Sequence, residues 1–221
     1  MGTIDGEYVA KLEDILDLYS QPSDPAVPRI CIDERPCQLL DQWVAPLPPK
    51  PGQVAKQDYE YVRTGMACVL LAYNLDTGQR YTEVRRQRTK TDYAGFITAA
   101  LDQLCPTAHR VRVIQDNLNT HPAGAFYAAF DAATARQVVQ RLEFHSTPKH
   151  ASWLNMAEIE FSALVRQCLD RRIGTIEALA HEVAAWEADR NARQVMIHWS
   201  FTVQDARSKL VRHYQQVVAT N

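Results

Sequence analysis

The chain has 221 residues, of which 46% are hydrophobic and 23% are charged, a composition typical of a globular protein with a substantial buried core. It shows neither an apolar run of membrane-spanning length nor an N-terminal signal sequence, so we expect a cytoplasmic protein with no membrane partner. The formal net charge of −2 gives nucleic-acid binding no support, and the five cysteines lack the spacing of a zinc knuckle.

The N-terminal part of the chain predicts one helix and then a strand. Tyr8 to Tyr19 places apolar residues at helical spacing, and turn residues follow it. We interpret residues 1–27 as a helix and linker left over from a preceding module. The first core strand is predicted at Arg29–Asp33. Pro36 and the proline-rich stretch 46–52 then predict an irregular connection, because proline disfavours both helix and central strand.

The remaining elements alternate in a way that predicts a mixed sheet with helices on both faces. Three strand-like runs, separated by turns at Thr64-Gly65 and 76–78, indicate an antiparallel meander. The three strands of this meander are predicted at 59–63, 67–74 and 79–84. Next come a helix capped by Thr91 or Asp92 and ending at Leu104, a strand at 111–115, a helix at 132–141 and a strand at 142–144. The chain then continues with a helix that carries Glu158 and Glu160, a helix capped by Thr175 that ends near Ala192, and a last helix from the Thr202–Asp205 capping box to about Val218. We assign residues 28–173 to one α/β domain and residues 174–221 to helices packed on it.

Four carboxylates stand at positions that suit a metal site. Asp33 and Asp116 each end a predicted strand, whereas Glu158 and Glu160 lie in the first turns of one helix. Three carboxylates meeting at one point repel each other unless a cation is present, and magnesium prefers oxygen ligands. Spacing alone leaves open whether the aspartates are ordinary turn residues, and the helical periodicity does not choose between the two glutamates.

Three motifs give the chain a family resemblance. They are CIDE at 31–34, QDNLNTH at 115–121 and TPKHASWLNMAE at 147–158, with a closing WSFTVQDAR at 199–207. Together and in this order they resemble the DDE transposases of bacterial insertion sequences, in the mariner-like branch often called the IS-six-thirty type. The similarity runs from about residue 29 to the C-terminus and leaves no room for an N-terminal helix-turn-helix module.

The resemblance implies a ribonuclease H-like fold and strand cleavage and transfer at transposon ends. It implies Asp33, Asp116 and Glu158 as catalytic residues and metal ligands, with magnesium or manganese, two ions in all, as cofactor. Water would first cleave the phosphodiester at the transposon end, and the freed 3′-hydroxyl would then attack target DNA. DNA is therefore the expected partner, with a homodimer bringing two ends together.

Several basic and polar residues are candidates for DNA contacts. They are Asn117 and His121 after the second aspartate, Lys149 and His150 in the loop before the catalytic helix, and the cluster Arg85, Arg86 and Arg88. Trp153 in the same loop could stack on an unpaired base, although packing at the helix start is its more ordinary role.

Two alternatives stay open. The chain could be a truncated or inactive transposase fragment that binds DNA only weakly, which the slightly acidic net charge favours. It could also be a cysteine–histidine hydrolase that uses Cys31 or Cys37 with His121, although no neighbouring residue in the sequence would activate either thiol.

Overall fold

The computed structural model describes residues 5–54, 56, 58–116 and 123–219 and is built on one five-stranded sheet with the strand order β3-β2-β1-β4-β5. The strands are β1 (Arg29–Gln42), β2 (Tyr61–Asn74), β3 (Arg80–Arg85), β4 (Val111–Gln115) and β5 (Leu142–Ser146). The first three strands form an antiparallel meander. β4 pairs in parallel with β1, and β5 pairs in parallel with β4. The predicted mixed sheet is confirmed.

Helices cover both faces of the sheet, also as predicted. Those in the described ranges are α1 (Gly6–Ser20), α2 (Lys90–Leu104), α3 (Gly124–Ala129), α4 (Ala132–Arg141), α5 (Met156–Leu164), α6 (Ile176–Ala192), α7 (Val203–Lys209) and α8 (Val211–Ala219). A 3-10 turn (Ser152–Leu154) precedes α5 and a π-helical turn (Val165–Leu169) continues it. Within the described residues, none of these helices has the length and apolarity needed to span a membrane.

Two apolar cores lie on opposite faces of the sheet, and β1 contributes to both. Ile30 and Ile32 point into the core beneath α2, α3 and α4, whereas Cys31 points into the core shared with α1, α5 and α6. Because side chains alternate along a strand, Asp33 follows Cys31 onto the face covered by α5. This alternation decides which helix can meet the first aspartate.

The first two strands are longer than predicted, because neither Pro36 nor Gly65 interrupts them. Pro36 pairs with Cys68 inside the β1–β2 ladder. On its other side β1 pairs with β4 only as far as Cys31. Because the described part of the chain places no neighbouring strand beside Pro36 on that side, the N–H that proline lacks costs no hydrogen bond to β4. The predicted turn at Thr64-Gly65 is wrong. The register shifts there, leaving Thr64 as the extra residue of a β-bulge inside one continuous strand.

The turn between β2 and β3 is confirmed. The Asn74 side-chain oxygen accepts hydrogen bonds from the backbone N–H groups of Asp76 and Thr77, at 2.9 and 3.1 Å. Gly78 closes the turn with φ of 69°, a conformation that side chains with a Cβ rarely adopt.

Helix boundaries follow capping chemistry closely. Thr89, rather than Thr91 or Asp92, caps α2 and forms a reciprocal capping box with Asp92. Thr175 caps α6 as predicted, and the Thr202–Asp205 box opens α7. The predicted last helix divides at Leu210 into α7 and α8, and α3 was not predicted.

Candidate active site

Asp33 lies near the point where β1 leaves its parallel neighbour β4. Its side chain is buried, and one carboxyl oxygen accepts the backbone N–H of Glu34 at 2.8 Å. Burial, together with the nearby negative charges of Glu158 and Asp116, raises the pKa of Asp33 to about 7, although the hydrogen bond from the Glu34 N–H opposes the rise. The negative charges of both other predicted carboxylates, Asp116 and Glu158, therefore act on Asp33.

Asp116 directly follows β4, at the same edge of the sheet. Cys31 of β1 pairs in parallel with Ile114 of β4, so Asp33 and Asp116 each stand two residues beyond this last β1–β4 pair. The preceding Gln115 is buried, and the Tyr93 hydroxyl donates to its side-chain oxygen at 2.5 Å. This bond fixes the end of β4 against α2. The predicted DNA contacts Asn117 and His121 lie outside the described residues.

Glu158 enters the site from α5. It occupies the first turn of that helix and is partly exposed. The helix begins at Asn155, whose side-chain oxygen accepts the backbone N–H of Ala157 at 3.1 Å. The Asn155 amide group also donates to the backbone oxygen of Ile32 at 2.9 Å and to the Asp33 carboxylate at 3.4 Å. The helix that carries Glu158 is thus fastened to the strand that carries Asp33.

The three carboxylates share one region, and their chemistry fits a divalent cation. Their charges interact strongly enough to help raise the pKa of Asp33. Across the described ranges, no three or more His, Cys, Asp and Glu side chains are grouped so that they could hold a metal ion as they stand. The chemistry of the three carboxylates nevertheless suits Mg²⁺ or Mn²⁺, because these ions prefer oxygen ligands and a cation would offset repulsion between negative charges.

Glu160 has a different environment from Glu158, which the sequence periodicity did not reveal. It is completely buried, and two arginines bind it through two hydrogen bonds each: Arg80 at 2.6 and 2.8 Å, and Arg190 at 3.0 and 3.1 Å. Arg80 also lies over the Tyr73 ring. These bonds join α5, β3 and α6 and occupy both carboxylate oxygens of Glu160, so Glu160 has a structural role.

The loop before α5 presents exposed side chains next to the site. Lys149 and His150 are exposed, and His150 has φ of 65°, a left-handed conformation uncommon for a residue with a side chain. Trp153 is 45% exposed, and one ring face stacks on Trp199 with 6.4 Å between centroids. Trp153 is therefore only partly buried, and Trp199 of the C-terminal segment holds its ring in place.

The predicted arginine cluster divides into three different environments. Arg85 is bound by the carboxylates of Glu83 and Asp92, so much of its charge is compensated. Arg88 donates to Glu34, the residue after the first aspartate, at 2.8 Å. Arg86 is 78% exposed, and its ion pair with Glu177 spans 3.7 Å.

The cysteines do not support a thiol nucleophile. Burial raises the pKa of Cys31 to about 12, and burial also raises the pKa of Cys37. Both side chains therefore stay protonated at neutral pH, the unreactive form of the thiol. The partner proposed for them, His121, lies outside the described residues.

The fold is similar to that of known proteins. The structure resembles the Mos1 mariner paired-end complex with Mn, with a TM-score of 0.57 and 17% identity over 96% of this chain and 61% of that chain. It also resembles the Mos1 mariner paired-end complex with Mg, with a TM-score of 0.53 and 18% identity over 96% of this chain and 61% of that chain. For the Mos1 strand transfer complex the TM-score is 0.55 and the identity is 14%, over 96% of this chain and 60% of that chain.

These likenesses show that the mixed sheet flanked by helices is similar to the ribonuclease H-like fold of Mos1 transposase. The chain spans about three fifths of the length of those chains. No curated protein sequence matches it. The family model described as DDE superfamily endonuclease matches residues 28–180. That match includes all three carboxylate segments, and the chain belongs to the DDE superfamily of endonucleases.

Proposed function

We propose that this chain is the catalytic domain of a transposase of the IS-six-thirty type. It cleaves phosphodiester bonds at transposon ends and joins the freed ends to target DNA. The observation that carries the proposal is that the negative charges of Asp116 and Glu158 reach Asp33 and, together with burial, raise its pKa.

The three carboxylates would hold two divalent ions, Mg²⁺ or Mn²⁺, once a scissile phosphate is present. Bound ions would supply activation of the attacking oxygen and stabilisation of the leaving oxygen. The protein's own part is positional. β1 and β4 would hold Asp33 and Asp116, and α5, which covers the same face of the sheet as Asp33, would bring Glu158 to them. The Mos1 relatives contain Mn or Mg, which is consistent with this cofactor.

DNA would approach across exposed groups around the carboxylates. Lys149 and His150 are exposed in the loop before α5, and the exposed Arg86 follows β3, and we propose that these side chains contact the phosphate backbone. Asn117 and His121 stay proposals from the sequence. The paired-end complexes of Mos1 support two copies acting on two ends, and we propose a homodimer for the active complex.

A nicking assay on the element's own terminal sequence in Mn²⁺ tests the function. We expect wild-type protein to nick the end, whereas D33N, D116N and E158Q lose nicking while keeping wild-type circular dichroism. Weak, salt-sensitive DNA binding with no nicking would instead support the inactive-fragment alternative, which the slightly acidic net charge favours. Nicking by folded E158Q would show that Glu158 is the wrong third carboxylate.

A further inference from the structure

We propose that Asn155 is a positioning residue that sets both the orientation of the Asp33 carboxylate and the place of Glu158 beside it. The inference rests on the proposed metal site. Asn155 is completely buried, although asparagine is mostly found at the surface. Its side chain joins the first part of β1, at Ile32, to the start of α5, two segments more than 100 positions apart in sequence.

Three of the four hydrogen-bonding directions of this side chain have a partner. The amide nitrogen donates to the Ile32 backbone oxygen at 2.9 Å and to the Asp33 carboxylate at 3.4 Å. The amide oxygen accepts the Ala157 N–H at 3.1 Å and so caps α5. Serine, threonine and aspartate also cap helices, but an amide combines the cap acceptor with two N–H donors in one rigid plane.

The contacts at Asp33 constrain its carboxylate from two sides. The Glu34 N–H binds one oxygen at 2.8 Å, and the Asn155 amide approaches the other at 3.4 Å. A carboxylate has about four acceptor directions, so these two bonds fix its plane and still leave lone pairs for a cation. Groups that hold a metal ligand from behind in this way govern how tightly the ion binds.

The same residue locates Glu158. The backbone N–H of Glu158 donates to the Asn155 backbone oxygen at 3.0 Å, so the cap begins the turn from which Glu158 projects. The neighbouring Leu154 is also anchored, because the Tyr19 hydroxyl donates to its backbone oxygen at 2.6 Å. Asn155 therefore transmits the position of β1 to the helix, and its loss would loosen two ligands together.

The test separates capping from positioning. Asn155→Ser keeps an oxygen that can cap α5, but its side chain is too short to reach Asp33, whereas Asn155→Ala loses both roles. Thr175→Ala is the matched control, because Thr175 caps α6 by accepting from Ala178 at 3.1 Å. The measurements are the Mn²⁺ dissociation constant by calorimetry with Mn²⁺ alone, the melting temperature, and kcat and KM for nicking.

We expect Asn155→Ser and Asn155→Ala to weaken Mn²⁺ binding by about 10–100-fold, the range typical of residues that orient metal ligands. Nicking should lose kcat with little change in KM for DNA. Thr175→Ala should lower the melting temperature by about 2–4 °C, as loss of one cap does in a domain of this size, and leave Mn²⁺ affinity unchanged. If Asn155→Ser does not fold, Asn155→Thr replaces it, since threonine also caps and fills more of the volume.

Wild-type Mn²⁺ affinity and kcat in a folded Asn155→Ser protein would overturn the inference and leave the proposed function intact. If wild-type protein binds Mn²⁺ in an Asn155-dependent manner but nicks no DNA, the proposed function fails and the inference stands. If Mn²⁺ alone does not bind measurably, kcat decides: a loss in Asn155→Ser but not in Thr175→Ala supports the inference, and equal activity refutes it.

Discussion

Neutralising Asp33 should stabilise the metal-free protein, and increasingly so as the pH rises. Native Asp33 keeps its proton up to about pH 7, whereas an unfolded chain releases it near the ordinary value of 3.8. Between these values the native state binds more protons than the unfolded state, so wild-type stability falls as the pH rises through this window. Asp33→Asn carries no ionisable group and does not share that loss.

The size of the effect follows from the raised pKa. The difference between 3.8 and about 7, at about 1.4 kcal/mol for each pH unit, corresponds to roughly 4 kcal/mol as an upper value. The asparagine amide would also face the Asn155 amide, which now lies 3.4 Å from the Asp33 carboxylate. That cost does not depend on pH, so the relative stability of the variant measured at pH 8 minus that at pH 4 isolates the ionisation of Asp33.

Urea denaturation between pH 4 and pH 8 in the presence of a chelator measures this difference. Asp92→Asn is a control of opposite sign. Burial acts to raise the pKa of Asp92. The hydrogen bonds from Thr89 and the ion pair with Arg85 outweigh burial and hold this pKa below its usual range. Asp92→Asn should therefore destabilise the protein at pH 8 and cost less at lower pH.

A free energy of unfolding for Asp33→Asn that tracks the wild-type value across the whole range would refute the reasoning. It would mean that Asp33 is solvated and ionised at neutral pH. The convergence of the three carboxylates would then lose its main physical support.

Three further outcomes are expected. Glu160→Gln should cost about 3–5 kcal/mol of unfolding free energy by urea denaturation, because it leaves Arg80 buried beside a neutral partner; a change below 1 kcal/mol would mean that the ion pair is not formed. Thr202→Ala should lower stability by about 1 kcal/mol through loss of the α7 cap, and an unchanged denaturation midpoint would contradict this. Alkylation by iodoacetamide should leave nicking intact, since burial keeps the thiols of Cys31 and Cys37 protonated; inactivation would revive the thiol mechanism.

Local signals in the sequence predicted much of the fold, because caps and turns act over a few residues. Thr175, the Thr202–Asp205 box and the turn before Gly78 each satisfy backbone groups close by in the chain. Pro36 misled for a reason that is not local. Whether proline interrupts a strand depends on which neighbour needs its N–H, and the sheet order decides that.

The site was only partly predictable for the same reason. The sequence predicted that Asp33 and Asp116 each end a strand. Asp116 does follow β4, whereas Asp33 lies inside the long β1, just beyond the part that pairs with β4. The choice between Glu158 and Glu160 needed the resemblance, because both flank the apolar stripe of α5. The physical difference lies in Arg80 and Arg190, which come from distant segments and bind only Glu160 of the two.

The role of Asn155 was also missed, although a capping asparagine three positions before a helix glutamate was visible in the sequence. Its donors go to Ile32 and Asp33, and no local pattern predicts that contact. Long-range hydrogen bonds of this kind become visible only once the strand and the helix are placed together.

The most direct measurement is Mn²⁺ binding followed by electron paramagnetic resonance, comparing wild-type protein with D33N, D116N, E158Q and E160Q in the presence of the cleaved end DNA. We predict that the first three substitutions each release bound Mn²⁺ and that folded E160Q retains it. Wild-type occupancy in D116N or E158Q would contradict a single site built from these three carboxylates.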